Sequence, residues 1–282
     1  MSADCCHHSP EVQKLRNGKA MKLLKNKLQD PRLNSTLEAF LETLVRFFSK
    51  RLVSVVLYGS VVFDDLAPGY GDLDFVAVVD ADLSEYDQRS LIDLRKPFRD
   101  PQATVFAHML EGAFLPRDML NPTNAGRAFW WGTTAERPWK RNELGWFVLA
   151  VTRQCGRVIF GQDIRREIPE PNRELLIERV HYFCDSATAQ ATPGHLHSLD
   201  WLLAAARMLL WLRENRFSSK SEAADWAYLH ARGPWRLLLP RAKQLRLNPN
   251  KSDAPEAKEW LTGLKLPIRE AMEEVNAELS LG

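Results

Sequence analysis

Apolar positions along the chain follow a helical period first and a strand period next. Leu37, Phe40, Leu41, Leu44 and Phe48 recur at the spacing of one helix face. Ser35 and Glu38 fit a capping box, which predicts that this helix starts at Ser35. The β-branched run Val53–Leu57 then reads as a strand ending in the turn Tyr58-Gly59-Ser60. A polar connection, Asp64–Gly71, leads to a second strand over Asp72–Val79. Ser84–Lys96 predicts a helix stopped by Pro97, and Thr104–Leu110 a third strand that runs on through Glu111 to Leu115. This order predicts a small mixed sheet with helices packed on it.

From about Asn142 onward the strand pattern is lost. Glu143–Val158, Asn172–Ala191, Ser198–Asn215 and Ser221–Ala231 read as helices, as do Trp235–Leu247 (broken at Pro240), Glu256–Leu264 and Ile268–Leu279. The expected fold class is α+β. It divides into an N-terminal extension over 1–30, a sheet-containing domain over 31–125 and an all-helical domain over 126–282. No repeat of fixed period stands out.

Composition adds bounds. The chain has 282 residues, 45% of them hydrophobic and 26% charged, with a net charge of +2. That balance fits an ordinary globular protein and argues against nucleic acid as an obligatory partner, which calls for a clear basic excess. The most hydrophobic segment, Trp201–Leu212, is too short to span a bilayer and is interrupted by Arg207. Cys155 and Cys184 lie in apolar stretches and read as core residues, and no disulfide framework is evident. A cytoplasmic location, with the protein a monomer or weak dimer, is the expectation. Cys5, Cys6, His7 and His8 lack a second ligand pair at zinc spacing and read as a tail. Lys22, Lys25, Lys27 and Arg32 read as a solvated face.

One stretch carries chemistry. Asp72 and Asp74 stand at i and i+2 of a strand and point to one face, flanked by apolar Leu73 and Phe75. Two carboxylates so placed repel each other unless a cation neutralises them, and magnesium suits a site of a few carboxylate oxygens completed by phosphate. Gly59-Ser60 supplies a backbone turn that can approach a phosphate closely, with a hydroxyl to donate. Each part alone is a common turn or capped strand. Gly-Ser closing one apolar strand with Asp-x-Asp opening the next is a joint signal.

Leu57–Val79 resembles the signature of the nucleotidyltransferase superfamily related to DNA polymerase β. The resemblance implies a nucleoside triphosphate, two magnesium ions and in-line attack of a substrate hydroxyl on the α-phosphorus. It also implies a third carboxylate on a later strand, a position that Glu111 fits. Glu111 would then deprotonate the acceptor or help hold metal; otherwise it is a strand-end glutamate. The second half is similar to the helical domain of the streptomycin/spectinomycin adenylyltransferases. Two stretches carry that likeness: Ala204-Ala205-Ala206-Arg207-Met208-Leu209, and Ser218-Ser219-Lys220-Ser221-Glu222-Ala223-Ala224-Asp225-Trp226-Ala227. By it, Arg207 and Lys220 would reach the triphosphate, ATP would be the co-substrate, and Trp130 or Trp131 would match the tryptophan that meets the acceptor. A lone guanidinium in an apolar helix needs an anion in any case, and a buried pair to a carboxylate would serve equally.

The likeness breaks at His195-Leu196-His197-Ser198-Leu199-Asp200, where the family carries an acid nearer His197. The acceptor is therefore open: an aminoglycoside, or a metabolite, protein or RNA hydroxyl. A non-catalytic nucleotide-binding relative is the remaining reading, against which the trio Asp72, Asp74 and Glu111 argues. His181, His195 and His197 read as structural histidines.

Overall fold

The computed structural model describes residues 23–281. The Cys5-Cys6-His7-His8 stretch, Lys22 and most of the expected extension lie outside them. Helix α1, Pro31–Phe48, begins ahead of the expected start. Asp30 is its N-cap and accepts from the Arg32 N–H, and a proline in the first turn needs no partner for its missing N–H. The Ser35 hydroxyl is left inside the helix, donating to the Pro31 carbonyl at 3.0 Å. Glu38 accepts from the Leu23 N–H at 3.1 Å, so it ties the preceding segment down rather than completing a capping box. Leu37, Phe40, Leu41, Leu44 and Phe48 are all buried, as their spacing predicts.

The sheet unit comprises the described residues up to Tyr58 together with Leu73–Leu144 and Thr152–Pro169. Its strands are β1 (Leu52–Leu57), β2 (Leu73–Val79), β3 (Leu110–Pro116), β4 (Ala125–Trp131), β5 (Glu136–Arg141) and β6 (Arg157–Gly161). Their spatial order is β5-β4-β3-β2-β1-β6. The β2–β3 pair is parallel and the other pairs are antiparallel. Central β2 is buried along nearly all its length, which is why it reads as a continuous apolar run. One sheet face packs on α1 through aromatic rings: Phe40 lies 4.7 Å from Phe75, and Phe114 4.9 Å from Trp131. Gly112 has to be glycine, since a Cβ there would meet the Phe75 carbonyl oxygen at 2.1 Å.

The sheet has three strands beyond the expected three, β4, β5 and β6, the last of them past Asn142. Strand β5 buries only Trp139 and otherwise exposes charge and Pro138, and β6 follows directly on Gly156. Both are edge strands, which proteins keep short and charged and which therefore lack a two-sided apolar signature. Helix α2 (Glu85–Arg95) follows β2 and the short α3 (Val105–His108) precedes β3; the helix expected over Glu143–Val158 ends early, as α4 (Gly145–Cys155). The third strand also starts later than expected. Thr104 caps a short helical turn, Val105–His108, by accepting from the Ala107 N–H at 3.2 Å.

The helical unit holds Gly59–Asp72, Gly145–Val151 and Glu170 to the end of the described residues. Its helices are α5 (Arg173–Gln190), α6 (Leu199–Glu214), α7 (Lys220–His230), α8 (Leu239–Leu247), α9 (Pro255–Thr262) and α10 (Lys265–Leu279). Asn172 and Ser219 cap α5 and α7 by accepting backbone N–H bonds, and Pro240 sits in the first turn of α8 after a tighter helical turn. Helix α6 is buried on most sides. At its end Arg213 pairs with Glu274 at 3.3 Å and Glu278 at 2.8 Å, which pins α10 to it. Cys184 is buried and Cys155 half-buried. Among the described residues no helix is long and apolar enough to cross a membrane.

Candidate active site

Strand register decides where the expected acids go. In the parallel β2–β3 pair Asp74 lies opposite Glu111, so the two carboxylates stand side by side on one face. That face is the one away from α1, because Phe75, the next residue, packs on Phe40. Glu111 accepts from the Thr133 N–H at 3.3 Å. Ala113 lies opposite Trp130 in the β3–β4 pair, which puts Trp130 on the same face. Trp130 is half-buried and stacks on Trp139 at 4.9 Å and 12°.

Trp131 points the other way. It is 0% exposed, set among Phe40, Phe75, Phe98 and Phe114, and its Nε1 donates to the Leu91 carbonyl at 3.0 Å. The Arg95 guanidinium lies 5.1 Å from its ring. Of the two tryptophans expected to meet an acceptor, this one belongs to the core: consecutive strand residues cannot share a face.

Asp72 precedes β2, half-buried, and falls within the helical unit's segment Gly59–Asp72. Among the described residues no three His, Cys, Asp or Glu side chains converge as a metal site. The same segment opens with Gly59 at φ 71°, the left-handed region that glycine enters freely, and continues as a tight turn over Gly59–Phe63. The Ser60 carbonyl accepts from the Asp65 N–H at 3.0 Å.

Two side-chain clusters hold this segment to the helices of its own unit. Asp65, 8% exposed, accepts from Arg246, 1% exposed, at 3.1 Å, and from the Ser221 N–H at 3.1 Å in the first turn of α7. Arg246 also donates to the Asp65 carbonyl at 2.6 Å. The second cluster centres on Asp200, in the first turn of α6. Lys220 forms an ion pair with it, and His197 Nδ1 lies 3.4 Å away. Tyr70 stacks on His197 at 5.0 Å, and Lys220 Nζ lies 5.8 Å from the Tyr70 ring. The Tyr70 hydroxyl is buried facing Asp200, short of a well-formed hydrogen bond.

Burial pushes the Asp200 carboxyl up, but His197, Lys220 and Tyr70 together outweigh it and bring the pKa to about 2. The hydrogen bond to Asp200 raises the His197 pKa against the effect of burial, and the charge of Asp72 adds to the rise. Burial and the Asp200 charge hold the Tyr70 phenol far above its ordinary value, so it stays a donor. Arg207 lies about two turns beyond Asp200 on α6 and is half-buried, so both residues face the same side of that helix.

The expected residues therefore fall into two groups. Asp74, Glu111 and Trp130 share a sheet face. Gly59, Ser60, Asp72, Arg207 and Lys220 belong to the helical unit. Sequence reasoning did not single out Tyr70, Asp65, Asp200 or Arg246; His197, read as a structural histidine, is held between Tyr70 and Asp200. The helical period that sets Asp200 and Arg207 on one side of α6 was one available signal for Asp200.

The mixed sheet followed by helices defines an α+β protein. Residues 173–265 match the family model described as aminoglycoside adenylyltransferase, C-terminal domain. The chain is similar in structure to spectinomycin adenyltransferase AAD(9) from Enterococcus faecialis, solved with ATP and spectinomycin. The TM-score is 0.68 at 16% identity, over 86% of this chain and 98% of that one. No curated protein matches by sequence. The family match is thus confined to residues 173–265, while the likeness to the solved structure is one of fold and extends over most of the chain.

Proposed function

We propose that the chain transfers AMP from ATP to a hydroxyl of a small acceptor, with an aminocyclitol or aminoglycoside antibiotic as the acceptor class. The observation that carries this reading is the Asp74–Glu111 register: two carboxylates side by side on adjacent parallel strands, with a third two residues upstream. The family match over 173–265 and the ATP and spectinomycin held by the structural relative support it.

The donor set fits magnesium, a hard cation that prefers carboxylate oxygens. Asp72, Asp74 and Glu111 would hold it, and bound magnesium supplies positive charge to the phosphate oxygens. The chain's own residues do the rest. The Gly59 turn and the Ser60 hydroxyl bind phosphate oxygens, and Arg207 and Lys220 add fixed positive charge. Trp130 offers a flat apolar surface to the acceptor's ring. Glu111 takes the proton of the acceptor hydroxyl, whose oxygen attacks the α-phosphorus in line while the bond to pyrophosphate breaks. Transfer to an antibiotic would inactivate it.

The test is mass spectrometry of spectinomycin, streptomycin and a panel of hydroxyl compounds, each incubated with the protein, magnesium and one nucleoside triphosphate. A gain of one AMP on an acceptor is expected with ATP. No mass gain on any acceptor, with no pyrophosphate released, would overturn the reading.

A further inference from the structure

Lys220 does not stand alone in the helical unit. It is the first residue of α7, where the helix's own positive end disfavours a cation, so an anion close by is needed to hold it. Asp200 is that anion, delivered from the first turn of α6. The ammonium is further confined by the Tyr70 ring at 5.8 Å, and Tyr70 lies in the segment that carries Gly59, Ser60 and Asp72. An ammonium has N–H groups to spare after one ion pair, so the Asp200 bond leaves donors for a phosphate oxygen.

We infer that Asp200, backed by Tyr70, is a positioning pair for Lys220, fixing its ammonium in advance for the triphosphate. The inference rests on the nucleotide-binding role given to Lys220 above. Asp200 touches neither nucleotide nor acceptor in this account. Its effect passes through Lys220: a long cationic side chain held in one rotamer loses less freedom when it meets a phosphate.

Calorimetric titration of the full chain with magnesium–ATP tests it, with thermal melting of each variant as the folding control. Lys220→Met is expected to weaken binding clearly. Asp200→Asn is expected to weaken it by about tenfold, the order of magnitude of freeing a lysine side chain. Asp200→Glu, which keeps the charge, should recover most of that loss. The Asp200→Asn loss should disappear once Lys220→Met is present, because nothing is left to position. Tyr70→Phe removes only the hydroxyl, so it reads the same dependence on Lys220 even should Asp200→Asn fail to fold. Its expected loss is smaller.

An Asp200→Asn variant that binds as well as the parent, or better, overturns the inference; tighter binding would mean that Asp200 competes with phosphate. A loss that persists undiminished in the Lys220→Met background also overturns it. Failure of the underlying reading looks different: the unaltered chain would not bind ATP, or Lys220→Met would bind as the parent does. Either result removes the functional assignment and the inference with it.

Discussion

In the sheet, Asp74 and Glu111 are brought together by backbone pairing: the parallel register of β2 and β3 sets them opposite each other. In the helical unit, Asp65 and Asp200 are placed by side-chain pairing, each on a cation from a separate helix. The first arrangement puts two like charges on one face, where they repel each other. The second neutralises every acid it gathers. Side-by-side carboxylates cost stability and are worth keeping where a cation comes and goes with substrate; an acid already matched by Arg or Lys serves position. Under the proposed function the sheet pair serves the reaction, while Asp65 and Asp200 hold other side chains in position.

The sharpest way to break the contrast is Asp74→Asn. It keeps the shape and removes a charge that the proposed reaction uses. Transfer should fall by about a thousandfold or more, measured as pyrophosphate release or acceptor mass gain, while circular dichroism and melting stay unchanged. A variant with near-parental turnover would reduce Asp74 and Glu111 to a strand-end pair.

Arg246→Met makes the opposite demand. It leaves Asp65 buried without its guanidinium, which should cost about 3–5 kcal/mol in denaturant unfolding. Replacing both, with Asp65→Leu added, should recover much of that loss, because two neutral groups leave no stranded charge. If the double variant is no better than the single, the pair is not what places the 59–72 segment.

The two tryptophans sharpen the comparison within one strand. Trp131→Phe loses volume in a packed core and the hydrogen bond to the Leu91 carbonyl, an expected cost of about 1–2 kcal/mol. Trp130→Phe should change stability by about 0.5 kcal/mol or less, a half-buried ring losing little. Its effect should fall on KM for the acceptor. Equal destabilisation by both would mean that Trp130 is core as well.

What the sequence made legible follows the same division. Local periodicity and the i, i+2 rule were enough for α1's apolar face, for β1 and β2, for the face of Asp74 and for most helices of the second half. Edge strands were missed because β5 and β6 bury too little to alternate. The start of α1 was misplaced because Asp30-Pro31 offered a better cap than Ser35. Trp130 and Trp131 could not be told apart without the β3–β4 register, since period 2 fixes alternation and not phase. The pair Asp65–Arg246 joins residues 181 positions apart and Asp200–Lys220 joins successive helices, and no local period encodes either partner.

The smallest effect bears on the position-keeping role most directly. His197 is 65% exposed, yet its pKa is raised, first by the hydrogen bond to Asp200 and then by that residue's charge and by Asp72, with burial and Lys220 acting the other way. A histidine whose folded pKa lies above its unfolded value contributes stability that is full below the unfolded value, about 6.5, and fades as pH rises through the folded one. Solvent screening at that exposure keeps the contribution small. The readout is therefore the titration itself, followed by the imidazole proton resonances in NMR. In Asp200→Asn the His197 midpoint should drop towards its ordinary value; in Lys220→Met it should rise, since a repelling cation has gone. A midpoint that moves in neither variant would show that the Asp200 carboxylate does not hold His197 and Lys220 together in solution. The side-chain half of the contrast would then lose its best-connected member.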